Sequence, residues 1–207
     1  MDYPPEPWDL HGHGCASLWA VRSTPPLPDG VRPVRVLGRS LVVTGFVAYL
    51  PGSLLPYNEL LAAVLVRRGW RLGLTITHIW VDSEPSRAGA RAMWGIPKEL
   101  ADLDVTRLSG DAEGIGAARL VPKGATLPVK AALPLWQSLG GRTTRTPFRA
   151  SGRAMPTRLE WRFAAKGPLG WLLPHRPLLG AVIPEFRMRF GSDRADDRAG
   201  DRAGGRG

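Results

Sequence analysis

One lysine, Lys98, lies in a local sequence that would fix the direction of its amine. It follows Pro97 and has Ile96 and Leu100 beside it, so we expect its stem to start from buried backbone. Only a lysine can supply a neutral amine at a relevant pH, because guanidinium stays charged. The chain has 24 arginines and four lysines, which are Lys98, Lys123, Lys130 and Lys166. Taken alone the pattern is weak, since most lysines are ordinary surface residues.

A carboxylate, Glu59, is the second candidate for chemistry. Period 2 from Tyr57 to Val66 places it on a strand face with Tyr57, Leu61, Ala63 and Leu65. An unpaired buried carboxylate is costly, so this face predicts a partner or a raised pKa for Glu59. The alternative is a strand end at which Glu59 reaches water.

Strands and one helix must position these two side chains. Alternation predicts strands over 40–50, 57–66 and 72–80, and on the last of these Leu72, Leu74, Ile76, His78 and Trp80 share a face. Ser83 is a predicted N-cap for a helix with Glu84 and Pro85 in its first turn. The helix runs to Met93 or Trp94, and Gly95 and Pro97 end it.

The remainder of the chain is predicted to be mainly β. Short alternating runs recur at 16–21, 104–108, 116–121, 127–133, 158–163 and 181–190, while residues 1–14 have the composition of an irregular arm. Many short strands without a βα alternation favour a closed barrel or a sandwich over a doubly wound sheet.

Length and composition predict one domain over residues 1–191, followed by a disordered, low-complexity tail over 192–207. Cys15 is the only cysteine, so no internal disulfide framework is expected. The N-terminus lacks a secretory signal pattern, and the longest apolar runs are too short to span a membrane. We therefore expect a cytoplasmic protein with no membrane role.

Several other patterns are weaker. His11, His13 and Cys15 have metal-binding side chains but no second cluster, His78 is interpreted as a core histidine, and Gly110 to Gly116 does not fit a dinucleotide pattern. No metal, nucleotide or other cofactor is therefore expected.

The net charge of +10 permits nucleic acid or anionic small molecules as partners. The densest basic stretch, Arg142 to Arg162, is interpreted as a solvated loop or as a rim that draws in anionic acids. Nucleic-acid binding is the less favoured interpretation.

The residues Tyr57, Asn58 and Glu59, together with the segment from Arg91 to Lys98, resemble the acetoacetate decarboxylase-like superfamily. The matching positions of the second segment are Arg91, Trp94, Gly95, Pro97, Lys98 and Leu100. The similarity extends over about Pro7 to Phe190 and is specific from Leu55 to Leu100.

The resemblance implies a fold and a chemistry. The fold would be a closed, cone-like antiparallel β-barrel with flanking strands and few short helices, in an expected homo-oligomer. Lys98 would form a Schiff base with a small keto acid or other carbonyl compound, with Glu59 as the second catalytic residue. Tyr57, Arg91 and Trp94 would bind the substrate, and decarboxylation or a related aldol or dehydration reaction would follow.

Two departures from the family signature leave the activity open. Glu99 stands where the family has a second lysine, and Ala92 replaces a glutamate. A carboxylate beside Lys98 would raise the pKa of its amine. The alternative function is that of a noncatalytic protein that binds carbonyl compounds or organic acids. For Arg91 the alternative to substrate binding is a structural role.

Overall fold

The computed structural model describes residues 2–122 and 124–192. Its strands are β1 Trp8–Val21, β2 Arg32–Pro33, β3 Arg35–Val36, β4 Arg39–Tyr49, β5 Tyr57–Arg68, β6 Arg71–Val81, β7 Lys98–Leu100, β8 Leu103–Val105, β9 Ser109–Ala112, β10 Gly116–Pro122, β11 Leu127–Leu139, β12 Arg142–Phe163 and β13 Pro177–Phe190. The described helices are α1, Glu84–Trp94, and a 3-10 helix, Gly170–Leu172. Apart from Ser192, the predicted tail lies outside the described residues.

Strands β6, β5, β4, β1, β13 and β12 pair side by side, and β11 pairs with both β12 and β6, which closes a ring. The β11–β6 contact is parallel, and the other pairings of the ring are antiparallel. Residues 157–163 of β12 pair with β10, and a smaller sheet continues from there through β9 and β8. The prediction of a mainly β closed barrel with few helices is confirmed, with one parallel contact in place of a fully antiparallel ring.

Residues of β5 alternate between two faces, as the predicted period of 2 requires, and each face joins a different buried cluster. Tyr57, Glu59, Leu61 and Ala63 face a cavity to which every strand of the ring contributes side chains. The alternate residues Leu60, Ala62, Val64 and Val66 join a second cluster that includes Ala112, Ala118 and Leu120 of the smaller sheet.

A β-bulge in β6 makes the predicted single face of that strand wrong beyond Ile76. Ala62 pairs with His78 and Ala63 pairs with Ile76, so Thr77 is an extra residue. Because a bulge shifts the alternation by one, Ile79 lines the cavity and Trp80 belongs to the second cluster.

The predicted N-terminal arm is also wrong, because Trp8 to Gly14 belong to β1. Gly12 and Gly14 lie where the backbone of β4 approaches closely, and a Cβ at either position would clash with the carbonyl oxygen of Ala48 or Phe46. The glycines that suggested an irregular arm are therefore required by close packing between two strands. His11, His13 and Cys15 alternate with these glycines, and none of the three lines the cavity.

The interpretation of Arg142 to Arg162 as a loop is wrong, since the whole stretch lies in β12. Its six arginines, at positions 142, 145, 149, 153, 158 and 162, are exposed. Among the described residues, no helix is long and apolar enough to cross a membrane.

Candidate functional site

The helix α1 and the short strand β7 position Lys98. The predicted helix is confirmed: Ser83 accepts a hydrogen bond from the Ser86 amide as the N-cap, and Gly95 ends the helix with a left-handed backbone. Pro97 follows, and Lys98 begins β7 in parallel pairing with Ile79 of β6. This turn directs the Lys98 side chain inward, where it is 5% exposed.

Three oxygen atoms surround the Lys98 amine. Nζ donates to Tyr57 Oη at 3.0 Å and to Ser86 Oγ at 2.9 Å, and it forms an ion pair with Glu59 Oε2 at 3.0 Å. An ammonium group has three N–H bonds, so these partners satisfy all of them. The Glu59 side chain is also 5% exposed, which makes this a buried ion pair.

Two tyrosines complete the surroundings of the Glu59 carboxylate. Tyr49 Oη donates to Oε1 at 3.3 Å, and Tyr57 Oη donates to Oε2 at 3.4 Å. Tyr49 and Tyr57 pair across β4 and β5, with ring centroids 4.5 Å apart. Burial and the Glu59 charge raise the pKa of Tyr49, so its hydroxyl stays protonated and can donate.

Two opposing effects act on the pKa of Lys98. Burial lowers it, while the Glu59 charge and the Tyr57 hydroxyl raise it, and the result lies above the ordinary value of 10.5. Glu99 lies on the exposed side of β7 and pairs with Arg91, so the carboxylate that stabilises the ammonium form is Glu59 and not the neighbouring residue. In the resting site Lys98 is therefore an ammonium ion.

A cavity of about 130 Å³ opens in front of this pair inside the ring of strands. Lys98, Glu59, Tyr49 and Tyr57 are the polar part of its wall, and the other described lining residues are aliphatic, aromatic or methionine. They are Trp8, Leu10, Val47, Leu61, Ala63, Leu74, Ile76, Ile79, Trp94, Ile96, Leu135, Phe148, Met188 and Phe190.

The structure brings four of the five predicted site residues to this cavity. Lys98, Glu59, Tyr57 and Trp94 line it, and Trp94 packs edge-on against Trp8 and Phe190. Arg91 does not line it. Its Nε donates to the Lys98 carbonyl oxygen at 2.6 Å, and its Nη2 pairs with the Glu99 carboxylate, both on the exposed side of β7. This placement favours the structural alternative for Arg91 over the predicted contact with substrate.

Sequence reasoning missed Ser86 and Tyr49. Ser86 contacts Nζ from the first turn of α1, where its hydroxyl has no local signal that links it to a lysine twelve positions later. Tyr49 stands at the end of β4, directly opposite Tyr57. An antiparallel pairing of the two predicted strands in this register would have identified it.

A model of the acetoacetate decarboxylase family matches residues 25–131, just over half of the chain. The chain belongs to the acetoacetate decarboxylase family. The matched region contains Glu59 and Lys98, and it ends within β11. No curated protein matches the sequence.

Solved structures of similar fold include further acetoacetate decarboxylase-like proteins. An acetoacetate decarboxylase-like enzyme from Sphingomonas wittichii RW1 has a TM-score of 0.65 and 15% identity, over 93% of this chain and 92% of that one. The enduracididine biosynthesis enzyme MppR complexed with pyruvate has a TM-score of 0.65 and 16% identity, over 94% and 91%.

The acetoacetate decarboxylase from Legionella pneumophila subsp. pneumophila str. Philadelphia 1 has a TM-score of 0.64 and 17% identity, over 94% of this chain and 91% of that one. At these identities the likeness shows a common fold. The described part of this family member therefore has the family fold, with a buried lysine and a buried glutamate in its central cavity.

Proposed function

We propose that this protein forms a Schiff base between Lys98 and a small carbonyl compound bound in the central cavity. The observation that carries the proposal is the Lys98 amine at the wall of an apolar cavity, 3.0 Å from a carboxylate that can take its proton. Keto acids are the substrate class that the family resemblance suggests, and one of the similar solved structures is MppR complexed with pyruvate.

The first step of the reaction is a proton transfer within the buried pair. An unperturbed lysine is only about one part in 2,500 neutral at pH 7, and the pKa of Lys98 is higher than that of an unperturbed lysine. Transfer of one proton from Nζ to Glu59 Oε2 gives a neutral amine beside a neutral carboxylic acid. The same transfer thus produces the nucleophile and an acid that can protonate a leaving hydroxyl.

Bond formation then follows without a change in net charge. The Nζ lone pair attacks the carbonyl carbon, the carbonyl oxygen is protonated, and water leaves to give a protonated imine. This cation is an electron sink, so a β-keto acid could lose CO2 from it and other substrates could undergo aldol or dehydration chemistry. Tyr57, within 3.0 Å of Nζ, would orient the amine during attack.

A noncatalytic carbonyl-binding protein is the second candidate. It is favoured by the raised pKa of Lys98 and by its three hydrogen-bond partners, which hold the amine as an ammonium ion. In that case the cavity would bind its ligand without a covalent bond, and borohydride would not trap the ligand on Lys98.

Borohydride trapping distinguishes the two functions. The purified protein is incubated with a panel of keto acids, ketones and aldehydes, reduced, and analysed by intact mass and peptide mapping. The proposal predicts a carbonyl-dependent adduct on Lys98, absent in Lys98→Met. The exposed Lys130 and Lys166 serve as internal controls for nonspecific reaction. Binding without any adduct on Lys98 would instead support the noncatalytic function.

A cytoplasmic location and a homo-oligomeric assembly remain predictions. The decarboxylation of a keto acid likewise remains a prediction, and CO2 release from the trapped substrates is the measurement that tests it.

A further inference from the structure

The charges of the cavity are already balanced before a substrate enters. Lys98 and Glu59 are the only side chains that carry a charge at neutral pH among the described lining residues, and they neutralise each other at 3.0 Å. No arginine or histidine is among those residues. A carboxylate that entered would therefore bring an uncompensated negative charge into an apolar space, which is strongly unfavourable.

The hydrogen-bond donors of the wall are also occupied. Both tyrosine hydroxyls donate to Glu59. The two indole N–H groups point elsewhere, with Trp8 Nε1 donating to the Pro4 carbonyl oxygen at 3.0 Å and Trp94 Nε1 donating to Glu6 Oε2 at 2.9 Å. A bound carboxylate would have to displace an existing bond to gain a donor.

The basic residues of the surrounding strands face outward. On β12 and β13 the cavity residues Phe148 and Met188 alternate with the exposed Arg149, Arg187 and Arg189. Because side chains on a strand alternate between its two faces, these guanidinium groups cannot reach the cavity without a shift in strand register. The positive charges of these three arginines therefore lie outside the ring of strands and do not compensate an anion inside it.

The cavity volume limits the ligand to a small molecule. An apolar cavity of about 150 Å³ holds a benzene-sized ligand, so about 130 Å³ suits roughly six non-hydrogen atoms.

From the balanced pair, the occupied donors and the apolar wall, we infer that the substrate of this site is a small uncharged ketone or aldehyde with a hydrocarbon chain, and not a keto acid. This inference rests on the proposed Schiff-base function. The atoms and charges balance: the ammonium form of Lys98 and a neutral carbonyl compound give a protonated imine and water. The ion pair with Glu59 is preserved, because one cation replaces another at the same nitrogen.

Matched pairs of carbonyl compounds test the inference. Methyl isopropyl ketone has the shape of pyruvate with two methyl groups in place of the carboxylate oxygens, and methyl isobutyl ketone has the shape of acetoacetate. For each compound the concentration that gives half-maximal borohydride adduct on Lys98 is measured. This concentration is then divided by the concentration that gives half-maximal adduct on free lysine with a blocked α-amine, which corrects for the intrinsic reactivity of each carbonyl compound.

After this correction each hydrocarbon ketone should reach half-maximal adduct at a concentration at least roughly tenfold lower than its acid partner, because the acid brings an unpaired charge into the cavity. An equal or greater preference for the acids would overturn the inference and leave the Schiff-base function standing. A failure of all four compounds and of the wider panel to label Lys98 would overturn both.

Glu59→Gln tests the charge argument itself. Removal of this negative charge should shift the preference toward the acids by about tenfold, since a substrate carboxylate could then take its place beside the Lys98 cation. Glu99→Gln is the matched control, because it makes the same change in charge and amide content on the exposed side of β7. An unchanged preference in folded Glu59→Gln would contradict the inference, and if that variant does not fold, the wild-type comparison decides.

Discussion

Lys98 and Glu99 are adjacent in the chain, yet each forms an ion pair in an opposite environment. Lys98 pairs with Glu59 inside the ring, where both side chains are 5% exposed, while Glu99 pairs with Arg91 outside, with exposed fractions of 56% and 44%. Alternation along β7 separates them. The family departure at position 99 therefore affects the outer surface, and the carboxylate that controls the amine is forty positions earlier in the chain.

The inner pair should contribute to stability only as a pair. Removing one partner of a buried ion pair leaves an uncompensated charge, so Lys98→Met is expected to lower the free energy of unfolding by about 3–5 kcal/mol. The double variant Lys98→Met with Glu59→Leu should recover most of this loss, because apolar residues can replace a buried pair at little cost. Urea unfolding of the wild type, both single variants and the double variant measures the effect.

If the double variant lost as much free energy of unfolding as the two single variants together, the inner pair would not contribute to stability as a pair. This result would mean that the two side chains contribute through separate contacts, such as the bond from Lys98 to Ser86, and not through their mutual charge.

The pH dependence of imine formation should follow the inner pair. Proton transfer from Nζ to Glu59 leaves the number of protons on the pair unchanged, and the pKa of Lys98 lies above its ordinary value. The rate of borohydride trapping should therefore be nearly independent of pH from about 7 to about 10. In Glu59→Gln the amine must lose its proton to solvent, and the loss of the carboxylate lowers the pKa of Lys98. The trapping rate of this variant should therefore rise with pH over the same range, by up to about tenfold per pH unit below that pKa.

Glu99→Gln serves as the control and should keep the flat pH profile of the wild type. A profile that rose with pH in Glu99→Gln and stayed flat in Glu59→Gln would reverse the assignment of the carboxylate that takes the proton.

Local sequence signals were sufficient to predict features that depend on a single helix or strand. The cap at Ser83, the stop at Gly95 and the period-2 face of β5 each depend on residues close in sequence, and the structure agrees with them. The same signals identified Lys98 and Glu59 as two separate candidates for catalytic residues. The family resemblance then assigned both of them to one active site.

The remaining features depend on contacts between distant segments. The bulge at Thr77 and the close approach of β4 to Gly12 are set by the neighbouring strand, so neither has a signal in its own segment. Ser86 reaches Lys98 only because the turn at Gly95 brings β7 back beside the first turn of α1. The charge balance of the cavity could be recognised only once the outward direction of the arginines was known.

The outer pair should have a small effect on stability. Exposed ion pairs contribute about 0–1 kcal/mol, so Glu99→Gln is expected to lower the free energy of unfolding by no more than about 1 kcal/mol. Urea unfolding under the conditions used for Lys98→Met gives a direct comparison. A loss as large as that of Lys98→Met would show that Arg91, through its bond to the Lys98 carbonyl, needs Glu99 to hold β7 in place.

Salt should change the stability contributions of the inner and outer ion pairs differently, and this is the smallest of the expected effects. The screening length falls from about 10 Å at 0.1 M salt to about 3 Å at 1 M, and exposed charges are screened far more than buried ones. The stability difference between wild type and Glu99→Gln should therefore shrink at high salt, while that between wild type and Lys98→Met should stay nearly constant. Comparing each variant with the wild type at the same salt concentration removes the general effect of salt on folding.

If the stability difference between wild type and Lys98→Met also shrank at high salt, ions or water would reach Lys98 and Glu59. The cavity could then accept a charged substrate more easily than its apolar wall indicates.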